Sequence, residues 1–136
     1  TLGTGVGSGI VINGQVVYGH DGFAGELGHV IVRRDGRICG CGRKGCLETY
    51  CSATGVARTA REFLAARTDA SLLRNIPAES IVSKDVYDAA VQGDKLRRFS
   101  NLQVIFWVRH WLTLLLSRVP KLLSCSVVWQ NRAIIS

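Results

Sequence analysis

The 136-residue chain is 47% apolar and 20% charged, a composition that excludes disordered and fibrous classes and fits one globular domain. No apolar run approaches the ~20 residues of a membrane span, and the opening Thr1-Leu2-Gly3-Thr4 carries no signal-peptide pattern. The net charge of +7 would point to nucleic acid or an anionic surface if it were spread over one face. It is not: residues 1–95 hold 11 basic and 10 acidic side chains, whereas 96–136 hold six basic and no acidic ones. All 15 glycines precede position 96 and all three tryptophans follow it. Starting as though in mid-strand, the chain reads as an internal piece of a longer protein, with a break near 95 between two kinds of sequence.

Leu2 to Ile12 alternates glycine with other residues and then turns β-branched, which predicts a strand. Asn13-Gly14 predicts a two-residue hairpin turn, with Gln15 to Tyr18 returning. Gly3, Gly5, Gly7 and Gly9 strip one face of that first strand. A ligand could then lie against the backbone, with N–H groups and the Thr4 hydroxyl on phosphate oxygens. A tightly packed hairpin explains the same glycines. The spacing is neither a dinucleotide fingerprint nor a P-loop.

A glycine-rich loop, Gly19 to Gly28, leads to a further short strand predicted at His29 to Arg33, and Asp35-Gly36 turns the chain into a cysteine segment. His29, Cys39, Cys41 and Cys46 form the array H-x9-C-x-C-x4-C. Three thiolates and an imidazole complete a tetrahedral zinc shell, and the glycines between them let the loop wrap tightly. The alternative is a reduced protein with scattered cysteines, since the cysteine count of five is odd and disulfides are not expected. Cys51 reads as a small buried residue. Glu26 and Glu48 flank the array, and acceptors projecting from one metal-braced loop suit a ligand rich in hydroxyl groups. One nitrogen of His29 can bind metal while the other donates to such a ligand. Beyond the loop, Val56, Ala60, Phe63 and Leu64 predict a helix over 54–67, and Ile76-Pro77 breaks the pattern. Ser83 is the predicted N-cap of a helix through Val91, closed by Gly93.

The runs Leu2-Gly3-Thr4-Gly5-Val6-Gly7-Ser8-Gly9, Gly22-Phe23-Ala24-Gly25-Glu26-Leu27-Gly28-His29 and Cys39-Gly40-Cys41-Gly42-Arg43-Lys44-Gly45-Cys46-Leu47-Glu48 together resemble the ROK family of repressors, open-reading-frame proteins and sugar kinases, and its glucokinases most. The resemblance covers residues 1–95. It implies the α/β actin-like ATPase (ribonuclease H-like) fold, of which this chain would be a fragment carrying a zinc-binding loop. It implies that Gly3, Thr4, Gly5 and Gly7 belong to a phosphate-binding segment for ATP, used with Mg. It implies that Glu26, His29 and Glu48 bind a hexose, and that His29, Cys39, Cys41 and Cys46 hold a structural Zn. A cytoplasmic homodimer without membrane or nucleic-acid partners is implied for the intact kinase. The family's first phosphate loop and its Asn-Asp pair, whose Asp is the general base, do not occur in this sequence, so no residue here is assigned that role. A sugar-sensing repressor of the same family is the alternative, its helix-turn-helix lying outside these residues.

Residues 96–136 do not share the resemblance. Read one base further on, codons compatible with them restore glycine, acids and a Gly-Gly turn, so an out-of-frame tail without function is expected. An amphipathic membrane or nucleic-acid segment is the competing reading, but the apolar residues from Val104 to Leu116 keep no single helical face.

Overall fold

The computed structural model describes residues 1–94. The tail assigned to a shifted frame, with Trp107, Arg109, Trp111, Arg118 and Trp129, lies outside the described residues.

The hairpin forms where the turn chemistry puts it. Asn13 and Gly14 both take positive φ, 50° and 77°, as a turn matched to strand twist requires. It joins β1 (Ile10–Ile12) to β2 (Gln15–Val17) in an antiparallel pair with Ile10 opposite Val17 and Ile12 opposite Gln15. The strand predicted from Leu2 does not exist over most of its length. Residues 1–7 curl back on themselves instead: the Gly3 N–H donates to the Gly5 carbonyl and the Gly7 N–H to the Thr1 carbonyl, each at 3.0 Å. Glycine at every second position carries the period of a strand, but it also lowers the cost of reversing the chain, and reversal prevails.

The strand predicted at His29 to Arg33 is also replaced. Leu27–His29 is a single 3-10 turn, after which only Ile31 bridges to Cys46. The Leu47 N–H donates to the Val30 carbonyl and the Val32 N–H to Gly45, both at 2.9 Å. This segment is therefore laid against the far leg of the cysteine loop as an irregular ribbon. Gly45, at φ 79°, makes the approach possible: the Arg33 carbonyl occupies the place where its Cβ would be.

Helices account for the remainder. The short α1 (Glu48–Cys51) runs into α2 (Ala53–Ala66), whose N-cap Ser52 accepts from the Gly55 N–H at 3.0 Å. The observed helix starts and ends one residue before the predicted one. On either side of Ile76-Pro77 lie 3-10 turns, Leu72–Asn75 and Ala78–Ser80. In α3 (Ser83–Val91) the N-cap is Val82, not Ser83, because Asp85 accepts from the Val82 N–H at 2.8 Å. Gly93 follows the helix with φ 85°. Ala60, Leu73, Ile81, Val86 and Ala89 form the buried cluster between α2 and α3, with Val56, Phe63, Leu64 and Ile76 packed on it. Its largest fully buried members are Leu73 and Ile81, each contributing roughly 1.5–3 kcal/mol by burial. Cys51 is buried, as expected of it, and its thiol donates to the Leu47 carbonyl.

Candidate functional site

Residues 37–45 form a small hairpin of their own. The Cys39 N–H donates to the Arg43 carbonyl at 2.8 Å, the Gly42 N–H to the Cys39 carbonyl at 2.9 Å and the Gly45 N–H to the Arg37 carbonyl at 2.8 Å. This turn carries Cys39 and Cys41 at its tip and leaves Cys46 at its base. His29 arrives from the 3-10 turn.

The four ligand atoms of His29, Cys39, Cys41 and Cys46 lie within 4.8 Å of one another. Two of the separations are close to those of a bound shell: His29 Nδ1 is 3.6 Å from Cys39 Sγ, and Cys41 Sγ is 3.6 Å from Cys46 Sγ. A tetrahedral ion with nitrogen and sulfur ligands at about 2.0–2.3 Å requires ligand atoms about 3.3–3.8 Å apart. The donor set and its spacing fit a metal ion. Cys39 and Cys46 are buried, whereas Cys41 is exposed.

The surroundings shift the three thiols in different directions. The Glu48 carboxylate, accepting from the Cys39 thiol at 3.0 Å, pushes Cys39 up to about 12. The Arg43 backbone N–H and guanidinium hold Cys41 down to about 6. Burial raises Cys46. A bound cation would favour all three as thiolates.

Glu48 opens α1 directly after the loop, and its Oε1 is 3.7 Å from His29 Nδ1. Its Oε2 lies where a Cβ on Gly5 would come within 3.0 Å, so the curled segment 1–7 packs on the carboxylate through a glycine. The same segment docks on the start of α2: the Ala53 N–H donates to the Gly3 carbonyl at 2.8 Å, and the Thr54 hydroxyl to the Thr4 carbonyl at 3.1 Å. Between these parts lies a cleft of ≈ 280 Å³ whose lining includes Thr4, Cys39, Glu48, Thr49, Thr54 and Arg58.

Residues singled out in the sequence thus converge unevenly. His29, Cys39, Cys41, Cys46 and Glu48 meet, and Thr4 and Gly5 approach them. The Gly3 and Gly7 N–H groups are engaged within their own curl. Glu26 has an exposed side chain, and its carbonyl accepts from the His29 N–H at 3.1 Å. Sequence reasoning missed Ser8, whose hydroxyl donates to the Gly25 carbonyl and accepts from the Leu27 N–H. It also missed Arg37, whose partners stand 12 to 25 residues away. Ser52, before α2, was missed as well although it was findable as a cap; nothing local marks Arg37.

The ROK family model matches residues 1–128. The chain belongs to the ROK family. A glucokinase of Halalkalibacterium halodurans is 45% identical over 96 residues, covering 69% of this chain and 29% of the relative. A ROK family glucokinase from Streptomyces griseus, solved in complex with glucose and AMPPNP, superposes with a TM-score of 0.73 at 36% identity, covering 86% of this chain and 39% of that one. A ROK family transcriptional regulator homologous to the E. coli MLC protein superposes with a TM-score of 0.62 at 34% identity, covering 76% and 25%. The chain therefore spans well under half the length of each. ROK membership and these likenesses give the actin-like α/β ATPase fold. The family match runs past residue 95, beyond the stretch on which the sequence resemblance rests. Among the described residues no helix is long and apolar enough to cross a membrane.

Proposed function

We propose that this chain is part of an ATP-dependent hexose kinase, a glucokinase converting glucose and ATP to glucose 6-phosphate and ADP. The single observation that carries the reading is the meeting of Glu48 with His29 and Cys39 beside a cleft lined by Thr4. A carboxylate and an imidazole are the acceptor and donor that a sugar's hydroxyls require, and Thr4 adjoins them from the glycine segment. The likeness to glucokinases supports the same reading.

In this reading Glu26 and Glu48 accept from sugar hydroxyls. His29 turns Nδ1 toward the cysteines, so its Nε2–H is left to donate to the sugar. Zinc is the metal for which His29, Cys39, Cys41 and Cys46 are suited, and when bound it braces the loop that carries the site. Thr4 and the Gly3–Gly7 backbone face the phosphates of MgATP after the curl opens its internal hydrogen bonds. The proton of the attacking hydroxyl goes to an aspartate outside these residues, and the intact enzyme works as a cytoplasmic homodimer. In-line transfer needs that base and a positioned triphosphate together, and base catalysis alone contributes roughly a hundred- to ten-thousand-fold.

A coupled glucose 6-phosphate assay tests this reading. The full-length kinase should turn over glucose with MgATP, and residues 1–136 alone should not. Turnover by the short chain would place the base within it. Residues 96–136 are proposed to be out of frame: sequencing the native DNA around codon 95 should reveal a one-base shift, and wobble bases that forbid the Gly-Gly turn would refute it. The likeness to a ROK transcriptional regulator favours one second reading, a sugar-responsive repressor. Sequence-specific DNA binding by the full-length protein, without glucose phosphorylation, would select it.

A further inference from the structure

Arg37 lies two residues before Cys39 and does not line the cleft, yet its side chain is only 9% exposed. Both terminal nitrogens of its guanidinium are employed. Nη1 donates to the Thr49 carbonyl at 2.6 Å and to the Gly55 carbonyl at 3.2 Å. Nη2 donates to the Thr59 hydroxyl at 2.8 Å and to Glu62 Oε2 at 2.7 Å. The planar group also lies over the Tyr50 ring, 4.7 Å from its centroid. Its backbone is employed as well: the Arg37 N–H donates to the Tyr50 hydroxyl at 3.0 Å, and its carbonyl accepts from Gly45.

One residue thereby ties three bodies together: both legs of the cysteine loop, α1 and the first three turns of α2. Its shortest side-chain bond is to Thr49, the residue after Glu48. Glu48 opens α1, so the position of its carboxylate relative to Cys39 and His29 follows from how α1 is held on the loop. We infer that Arg37 is a positioning residue for Glu48, setting the carboxylate where it meets a hexose hydroxyl. The inference rests on the hexose-kinase reading above. Arginine is required because the task needs a planar fork with several donors and a face for the ring, which lysine cannot supply.

The test is a double-mutant cycle in the full-length kinase, read by calorimetric glucose binding, steady-state kinetics and zinc content. Arg37→Met should weaken glucose binding on the order of tenfold, as loss of an outer partner does at a braced site. Glucose KM should rise by the same factor, with kcat and the MgATP KM within about twofold and one zinc retained per chain. In a Glu48→Gln background Arg37→Met should add nothing further, because its effect runs through that carboxylate. Arg37→Lys should stay close to Arg37→Met. Full additivity on Glu48→Gln, or parallel losses of glucose and MgATP affinity, would overturn the inference and leave Arg37 a general stabiliser. If Arg37→Met does not fold, Tyr50→Phe, which removes the hydroxyl under the Arg37 N–H, carries the same cycle with a smaller effect. A wild type that binds no hexose overturns the kinase reading and this inference together. A wild type that binds glucose, with Arg37→Met unchanged, overturns this inference alone.

Discussion

The cysteine loop with α1 and the pair formed by α2 and α3 are held by different forces. Between α2 and α3 the contacts are aliphatic: Ala60, Leu73, Ile81, Val86 and Ala89 are buried together. Around residues 37–49 there is little to bury, since glycine recurs and Ile38 is 69% exposed. Polar bonds hold this part, namely the four bonds of the Arg37 guanidinium and the contacts of the Cys39 thiol with His29 and Glu48 and of Cys41 with Cys46. The site-bearing half is thus open to chemical dismantling in a way that the helical half is not.

Metal removal should separate the halves most widely. Structural zinc in small peptides is worth about 10–16 kcal/mol of apparent binding. Cys41→Ser should abolish stoichiometric zinc in metal analysis of the purified chain, while far-UV dichroism keeps the helical signal of α2 and α3. Full zinc occupancy in that variant would remove the quartet from consideration.

The converse perturbation is smaller and falls on the other half. Leu73→Ala should cost about 2–5 kcal/mol in urea unfolding, with zinc per folded chain unchanged. Loss of metal in step with stability would show that the halves are one cooperative unit.

Glu48→Gln probes the boundary of the polar half. A charged acceptor contributes about 1.5–3 kcal/mol, so, on the hexose-kinase proposal, glucose affinity of the full-length protein should fall roughly ten- to a hundredfold at unchanged melting temperature. Ser52→Ala should have the mildest effect. Its hydroxyl caps α2 at the seam between the halves, and the residue is 2% exposed. The loss should be about 0.5–2 kcal/mol by thermal unfolding, and a larger one would mean that the cap also supports the loop.

Legibility in the sequence divides along the same line. Helix α2 was readable to within one residue at each end because Val56, Ala60, Phe63 and Leu64 repeat at helical period and bury on one side. The Asn13-Gly14 turn was readable because few residue pairs accept positive φ twice. The convergence of His29, Cys39, Cys41 and Cys46 was readable from residue type and spacing. The strands expected at Leu2 and at His29 were not readable, because both segments take their course from backbone bonds to distant partners. Val30 and Val32 answer to Leu47 and Gly45, and no local period encodes that. Ser83 looked like a cap by type, but the bond comes from Asp85 to the Val82 N–H. Arg37 was invisible for the same reason as the ribbon.

The close approach at Gly45 sets how far the loop is free to vary. A side chain there would collide with the Arg33 carbonyl and would also have to accept φ 79°, whereas a Cβ on Gly40 meets nothing within 4 Å. A library randomised at both positions and selected for folded protein should return glycine at 45 and a mixture at 40. The loop's glycines look alike as letters, but the heritable constraint rests on one more than on the other.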